Sequence, residues 1–158
     1  ADMDHAGGAS KLKENYNSKV ALHRLEKNQL EKDDNPYKIK FFADRAGVQV
    51  QKSVEVDRFV EEGDSIGPLQ IFSTPGHTDG SISLYFKKKG WIFVGDAIRT
   101  DRNGKFMFLS EQNTKNLAQA RNSLEKIAKL QFNSLFPGHG KPVLSNASEK
   151  LKDFLKLF

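Results

Sequence analysis

The octapeptide TPGHTDGS at residues 74–81 constrains the fold of this chain more than any other stretch. Apolar residues alternate with polar ones on both sides of it, which predicts strands at residues 69–73 and 82–86. A histidine between a Pro-Gly and a Gly-Ser turn is held at the end of a strand and points away from it. That position suits a ligand, although a solvated turn histidine explains the octapeptide alone equally well.

Three other stretches have the same character. The chain opens with ADMDHAGG, and VGDA follows at residues 94–97 and FPGHGKP at residues 136–142. Each places a histidine or an aspartate in a glycine-containing turn. Neutral imidazoles and carboxylates together are the ligands that zinc, iron and manganese use in proteins. Four such turns in one small chain therefore predict a metal centre.

In this order the four stretches resemble the motifs of the metallo-β-lactamase fold superfamily, in particular its glyoxalase-II-like hydrolases. That family carries H-x-H-x-D-H, then T-P-G-H-T-x-G-S, then G-D, then P-G-H-G. The matching residues, spread over positions 1–142, are Asp4, His5, His77, Asp96 and His139. The resemblance implies an α/β fold, an αββα sandwich with metals at one edge, of which residues 1–158 form the C-terminal two-thirds as a single, N-terminally incomplete domain.

The resemblance also implies a role for each matching residue. Asp4, His5 and His139 would hold one metal, and Asp96 would bridge it to a second metal held by His77. Asp4 and Asp96 would thereby be the catalytic carboxylates. The first motif departs from the family, because its first histidine would precede residue 1 and an aspartate, residue 2, stands where the second is expected.

Asp2 leaves two alternatives open. As a ligand it would lower the net charge of two divalent ions and their carboxylates from +2 to +1, which favours harder or more oxidised metals. The flavodiiron branch of the superfamily also has a carboxylate there, so iron enters the argument. As a shorter side chain, Asp2 could instead reach no metal and support a ligand through a hydrogen bond.

The resemblance implies two divalent ions in the intact protein, with zinc first and iron or manganese as alternatives. Each ion would lower the pKa of a bound water from about 15.7 toward 7. The expected function is hydrolysis of a small-molecule thioester, lactone, amide or phosphoester by metal-bound hydroxide. The alternative is a non-hydrolytic member, either a diiron redox protein or a binding protein with a weakened metal site.

Composition limits the remaining function classes. The chain has 158 residues, of which 37% are hydrophobic and 28% charged, as in a globular domain. It has no cysteine, which excludes disulfides and thiolate metal sites and favours a cytoplasmic location. No apolar run approaches the roughly 20 residues of a membrane span. The net charge of +5 comes from scattered lysines, so we expect a solvated face and no nucleic-acid partner.

Further predictions follow from the pattern along the chain. Short strands are expected at residues 19–22, 54–60, 91–94 and 135–136, and helices near residues 10–17, 23–32, 113–130 and from residue 145 onward. His23 is expected to cap or to be exposed. The side chains considered for a substrate pocket, each with a structural or solvated role as the alternative, are Phe41, Phe42, Arg99, Phe106, Met107, Phe108 and Lys141.

The stretch Trp91-Ile92-Phe93-Val94 is apolar on both faces, as expected of a central strand that is covered on both sides. We expect this chain to supply one covering layer. The second layer would come from the N-terminal part of the same domain or from a second copy of the chain.

Overall fold

The structure is a computed structural model that describes residues 3–26 and 54–157, with the backbone alone for residues 3 and 4. The chain divides into two compact units, Ala1–Val60 and Glu61–Phe158. Phe41 and Phe42, considered above for a substrate pocket, lie outside the described residues. Among those described, none of the helices combines the length and the apolarity needed to cross a membrane.

In its described residues, the N-terminal unit has two α-helices and a pair of short strands. Helices α1 (Met3–Ala6) and α2 (Ala9–Tyr16) are followed by strand β1 (Ala21–His23), which pairs in parallel with β2 (Arg58–Val60). Helix α2 ends at Asn17 in the left-handed conformation, with φ of 50°, as its sequence predicts. Leu12, an apolar residue of this helix, is exposed.

Two predictions for this unit are corrected. The helix expected from residue 23 is, in its described part, a single 3₁₀ turn, Arg24–Glu26. His23 supports this turn, because its Nδ1 accepts a hydrogen bond from the amide of Leu25 at 3.3 Å, which agrees with a capping role. The strand expected over residues 54–60 is limited to β2, since alternation alone does not supply a pairing partner.

The second unit is organised around a mixed sheet. Its strands are β3 (Ser65–Ile66), β4 (Leu69–Ser73), β5 (Ile82–Phe86), β6 (Trp91–Gly95) and β9 (Ser134–Pro137), in the order β3-β4-β5-β6-β9. All neighbours are antiparallel except β6 and β9, which are parallel. Strands β4, β6 and β9 therefore run in one direction, and their carboxyl ends lie at the same edge of the sheet.

Two helices cover the core of this unit. Helix α3 (Leu117–Ala128) is capped at its N-terminus by Asn116, whose side chain accepts a hydrogen bond from the amide of Gln119. Helix α4 (Ala147–Leu155) follows β9. One hydrophobic cluster joins both helices to the sheet, and it includes Ile92, Val94, Leu124, Ile127, Leu135 and Leu151. Full burial of each such side chain stabilises the fold by about 1.5–3 kcal/mol. Helix α3 is shorter than predicted because its cap at Asn116 sets the start.

Strand β6 is central, as predicted, but its two faces differ. Ile92 and Val94 are fully buried, whereas Trp91 on the alternate face is 37% exposed. This second face is aromatic: Phe93 stacks on Phe136 of β9 with ring centroids 4.8 Å apart, and Trp91 meets the same ring edge-on at 5.9 Å. Cross-strand aromatic pairs therefore give this face part of its cover.

A separate hairpin joins β7 (Arg99–Thr100) to β8 (Phe106–Met107) through a turn that begins at Asp101. Phe106 is buried and, together with Phe108, packs against Phe154 of α4. These two phenylalanines thus have the structural role rather than a pocket role. The amides of Lys105 and Asn103 donate to the Asp101 carboxylate and lower its pKa, and the Lys105 amide has the larger effect.

Candidate metal centre

His77 lies in a turn that begins where β4 ends. Thr74 is buried, and its amide donates to the carbonyl of Ser81 at 2.7 Å while its hydroxyl bonds that of Ser83 on β5 at 3.0 Å. The hydroxyls of Thr78 and Ser81 bond each other at 2.8 Å. The small polar residues of the octapeptide thus close the turn by hydrogen bonds, and His77 lies within it.

Helix α3 holds the same turn from outside. The Ser123 hydroxyl donates to the Pro75 carbonyl at 2.7 Å, and the amides before the helix, of Asn116 and Lys115, donate to the carbonyls of Gly76 and His77. Gly76 has a φ of 140°, and a Cβ there would lie 2.5 Å from the Cβ of Ala120 and closer still to its backbone. Only glycine allows this approach.

Asp96 follows β6 directly. Gly95 ends the strand with a φ of 50°, and the amide of Ala97 donates to the carbonyl of Val94 at 3.1 Å. This tight turn places Asp96 at the edge of the sheet where β4, β6 and β9 end. It is 11% exposed and lies beside the end of the parallel neighbour β9.

His139 follows β9 in a turn whose backbone is hydrogen-bonded to the end of β6 and to β7. The amide of Gly138 donates to the carbonyl of Gly95 at 2.7 Å, which joins this turn to the Asp96 turn. The amide of Thr100 donates to the His139 carbonyl at 3.2 Å. Gly140 has a φ of 97°, and a Cβ there would fall 2.5 Å from the Thr100 hydroxyl. The His139 backbone is therefore held between β6 and β7.

These three turns bring His77, Asp96 and His139 together. The Nε2 atoms of His77 and His139 each lie 3.6 Å from the same oxygen of Asp96, Oδ2. Both distances exceed those of a hydrogen bond. His77 is 15% exposed and His139 is 52% exposed, so the cluster is closed on one side and open on the other.

The geometry and the donor set suit a divalent metal. Two donor atoms on one tetrahedral ion, each at about 2.1 Å, lie roughly 3.4 Å apart, close to the 3.6 Å found here. Imidazole and carboxylate are ligands that zinc and iron share. A site with one open side is typical of catalytic rather than structural metal centres. The residues present therefore fit the metal centre that the sequence predicts.

The other predicted ligands belong to the N-terminal unit. His5 is exposed in α1, and the backbone of Asp4 lies in the same helix, although the sequence predicts a turn there. Asp2 lies outside the described residues. The ligand roles of Asp2, Asp4 and His5 stay predictions.

An open cleft of about 620 Å³ adjoins His139 within the second unit. Its walls come from the β7–β8 hairpin and from the turn after β9, and its lining residues are Arg99, Thr100, Asp101, Arg102, Met107, His139, Gly140, Lys141 and Pro142. Of the side chains considered for a substrate pocket, Arg99, Met107 and Lys141 lie here.

Several supporting residues were not identified from the sequence. Ser123 and Asn116 hold the His77 turn from α3, and Thr100 holds the His139 turn from β7. Each of these three lies many positions away from the motif it supports, so the motif pattern carries no signal for it. Arg102, in the hairpin turn, lines the cleft and was not identified from the sequence either.

Comparison with known proteins identifies the family and several relatives. A family model described as "Metallo-beta-lactamase superfamily" matches residues 1–139. A hydroxyacylglutathione hydrolase of Bartonella tribocorum is 30% identical over 137 residues, which are 86% of this chain and 44% of that protein. An acyl-coenzyme A thioesterase of Gallus gallus is 28% identical over 111 residues, which are 61% of this chain and 38% of that protein.

Solved structures agree with the fold. A protein crystallised in a di-iron-bound form superposes with a TM-score of 0.72 at 25% identity, covering 91% of this chain and 68% of that one. The chain spans 34%, 46% and 65% of the lengths of three further curated relatives. The predicted αββα fold class is thus confirmed by similarity.

Proposed function

We propose that this chain, which belongs to the metallo-beta-lactamase superfamily, forms a metal centre that hydrolyses a small-molecule thioester. The observation that carries the proposal is the pair of imidazole nitrogens, from His77 and His139, each 3.6 Å from one oxygen of Asp96. A carboxylate oxygen between two imidazoles suits a ligand shared by two cations.

In this proposal the three turns supply a rigid half of the site. The Asp96 carboxylate would offset the positive charge of metal ions held beside the two histidines. The backbone hydrogen bonds of both histidine turns keep each imidazole close to this carboxylate. By the family resemblance, Asp4 and His5 would complete the site of His139, and Asp2 would serve the site of His77 as a ligand or as its support. Bound divalent ions supply Lewis acidity and make a water acidic enough to react at neutral pH.

The reaction is a hydrolysis at the acyl carbon. The oxygen of water forms a bond to that carbon, the carbon–sulfur bond breaks, and the thiol leaves with a proton. We assign Asp4 as the carboxylate that orients the water, and the half-exposed His139 faces the cleft through which the substrate enters. Thioesters are favoured over lactones, amides and phosphoesters because both curated relatives described above are named for acylated thiols.

The test combines metal analysis with turnover. The protein is purified without a tag, its metals are quantified by mass spectrometry, and hydrolysis of acyl thioesters is followed through the released thiol. We expect about two ions per chain and hydrolysis lost in both Asp96→Asn and His139→Ala. Asp153→Asn, a change of the same type on the exposed side of α4, is the matched control and should leave both readouts unchanged.

A second candidate, a diiron redox protein, is favoured by the relative that was solved in a di-iron-bound form. The same experiment separates the two functions. Bound iron without thiol release would support the redox protein and contradict the hydrolase, whereas thiol release that depends on Asp96 would support the hydrolase with any of the three metals. Full activity in Asp96→Asn would refute the role of Asp96 as a metal ligand in either function.

A further inference from the structure

We propose that the cleft beside His139 binds an anionic group in the thiol part of the substrate, and that Arg99, Arg102 and Lys141 recognise it. This inference rests on the proposed hydrolysis, because it places the reacting bond at His139 and the anion at other residues that line the same cleft. It assigns to the chain a substrate class, acyl thioesters of phosphorylated or carboxylated thiols.

One buried residue links the backbones of two of the cations to the backbone of His139. Thr100 is 5% exposed, and its amide donates to the His139 carbonyl while its hydroxyl donates to the Lys141 carbonyl at 2.6 Å. Arg99 precedes Thr100 in β7. The backbones that carry Arg99 and Lys141 are thus joined directly, on either side of the histidine turn.

The charges in the cleft do not cancel. Three cations line it against one carboxylate, Asp101, whose Oδ1 already accepts the amides of Asn103 and Lys105. Within residues 3–26 and 54–157, the side chains of Arg99, Arg102 and Lys141 form no ion pair or hydrogen bond with protein groups. By contrast, Lys126 on α3 bonds Glu62 at 2.7 Å. The cleft therefore retains a net positive charge available to a ligand.

The side chains suit a phosphate or a carboxylate. Guanidinium groups bind both anions through two parallel hydrogen bonds, and lysine adds a point charge. Met107, 38% exposed, gives the cleft an apolar wall. A substrate that carries an acyl sulfur and an anion would match a cleft lined by a histidine, an apolar side chain and three cations.

The experiment uses three acetyl thioesters that share the acyl group and differ in the thiol. N-acetylcysteamine is neutral, glutathione carries carboxylates and coenzyme A carries phosphates. KM and kcat are measured for the wild type and for Arg99→Ala, Arg102→Ala and Lys141→Ala. Lys150→Ala, an exposed lysine in α4, is the matched control.

We expect each cleft variant to raise KM for an anionic substrate by about three- to tenfold, between the effect of an exposed ion pair and that of a charge-assisted hydrogen bond. The neutral thioester and all kcat values should stay within twofold of the wild type, since these cations do not contact the reacting bond. The anionic thiol whose KM responds more strongly identifies the group, phosphate or carboxylate. Variants that leave every KM unchanged, or that slow all three substrates equally, would overturn the proposal.

Binding of free coenzyme A and of glutathione, measured by titration calorimetry, separates this inference from the proposed function. If the protein hydrolyses the neutral thioester while Arg99→Ala binds both thiols as the wild type does, the anion site is wrong and the hydrolase stands. If no thioester is cleaved but Arg99→Ala weakens binding of one thiol by about three- to tenfold, the hydrolase is wrong and the anion site stands.

Discussion

Replacement of Gly76 by alanine tests how closely the His77 turn must approach helix α3. The added Cβ would lie 2.5 Å from the Cβ of Ala120 and closer to its backbone atoms. Carbon atoms in contact are about 3.5–4.0 Å apart, so the turn or the helix must move by about 1 Å. Overpacking of this kind costs about 1–3 kcal/mol.

Backbone strain adds to this cost. Gly76 has a φ of 140°, and an alanine forced to keep it would lose about 1–3 kcal/mol more. The total of about 2–6 kcal/mol is large against the roughly 5–15 kcal/mol that stabilises a typical domain. A shift of about 1 Å also exceeds the tolerance of about 0.2 Å in metal–ligand distances, so we expect metal content to fall as well.

The matched control is Gly63→Ala. Gly63 also has a positive φ, 87°, but a Cβ there would meet no atom within 4 Å, so this variant carries the strain without the overlap. Urea unfolding should place Gly76→Ala about 1–3 kcal/mol below Gly63→Ala, and mass spectrometry should show metal loss in Gly76→Ala alone. Equal stabilities, with metal content intact in both, would refute the close packing of the turn on α3.

Four further outcomes are expected. Asn116→Ala should lose about 0.5–2 kcal/mol of unfolding free energy, because a helix amide loses its cap; unchanged urea unfolding would contradict the cap. The Lys105 amide lowers the pKa of Asp101, so the stability contributed by Asp101 should be present above pH 4 or so and be lost as the pH falls through the lowered pKa. A carboxyl NMR titration checks this, and an ordinary midpoint would refute it. Lys87→Ala, in the exposed turn before β6, should stay within about 0.5 kcal/mol of the wild type, and a larger loss by the same unfolding assay would count against that turn. The partly exposed face of Trp91 should be covered by a further layer of the domain or by a second copy of the chain. Size-exclusion chromatography and tryptophan fluorescence test this expectation. A monomer whose emission is red-shifted, as for an indole in water, would contradict it.

The local parts of the fold could be predicted from the sequence because they depend on near neighbours in the chain. Strands β4 and β5 have the predicted limits, since alternation and turn residues define both ends. The turn at Asn17 and the hairpin turn after residue 100 also follow from local conformational preferences. Helix α3 was located by its apolar periodicity, and only its ends differ from the prediction.

The candidate site could be predicted in its residue types but not in its geometry. The motifs identify His77, Asp96 and His139 through glycine-rich turns that follow apolar strands. The two imidazoles approach to 3.6 Å from one oxygen of Asp96. This approach depends on the common direction of β4, β6 and β9, which is a property of strand pairing. Pairing joins residues that are far apart in the chain, and no local pattern encodes it.

The tertiary structure also decided which apolar and charged residues have a role in the cleft. Phe106 and Phe108 look like pocket residues in the sequence, yet packing against Phe154 places them in the core. Arg99 and Lys141 are far apart in the sequence, which gives each a pocket role or a solvated role, and it is Thr100 that joins their backbones beside His139. The sequence alone determined the chemistry of the ligand-bearing turns, because residue type is local. Burial and the grouping of charges depend on contacts between distant segments, which only the folded chain provides.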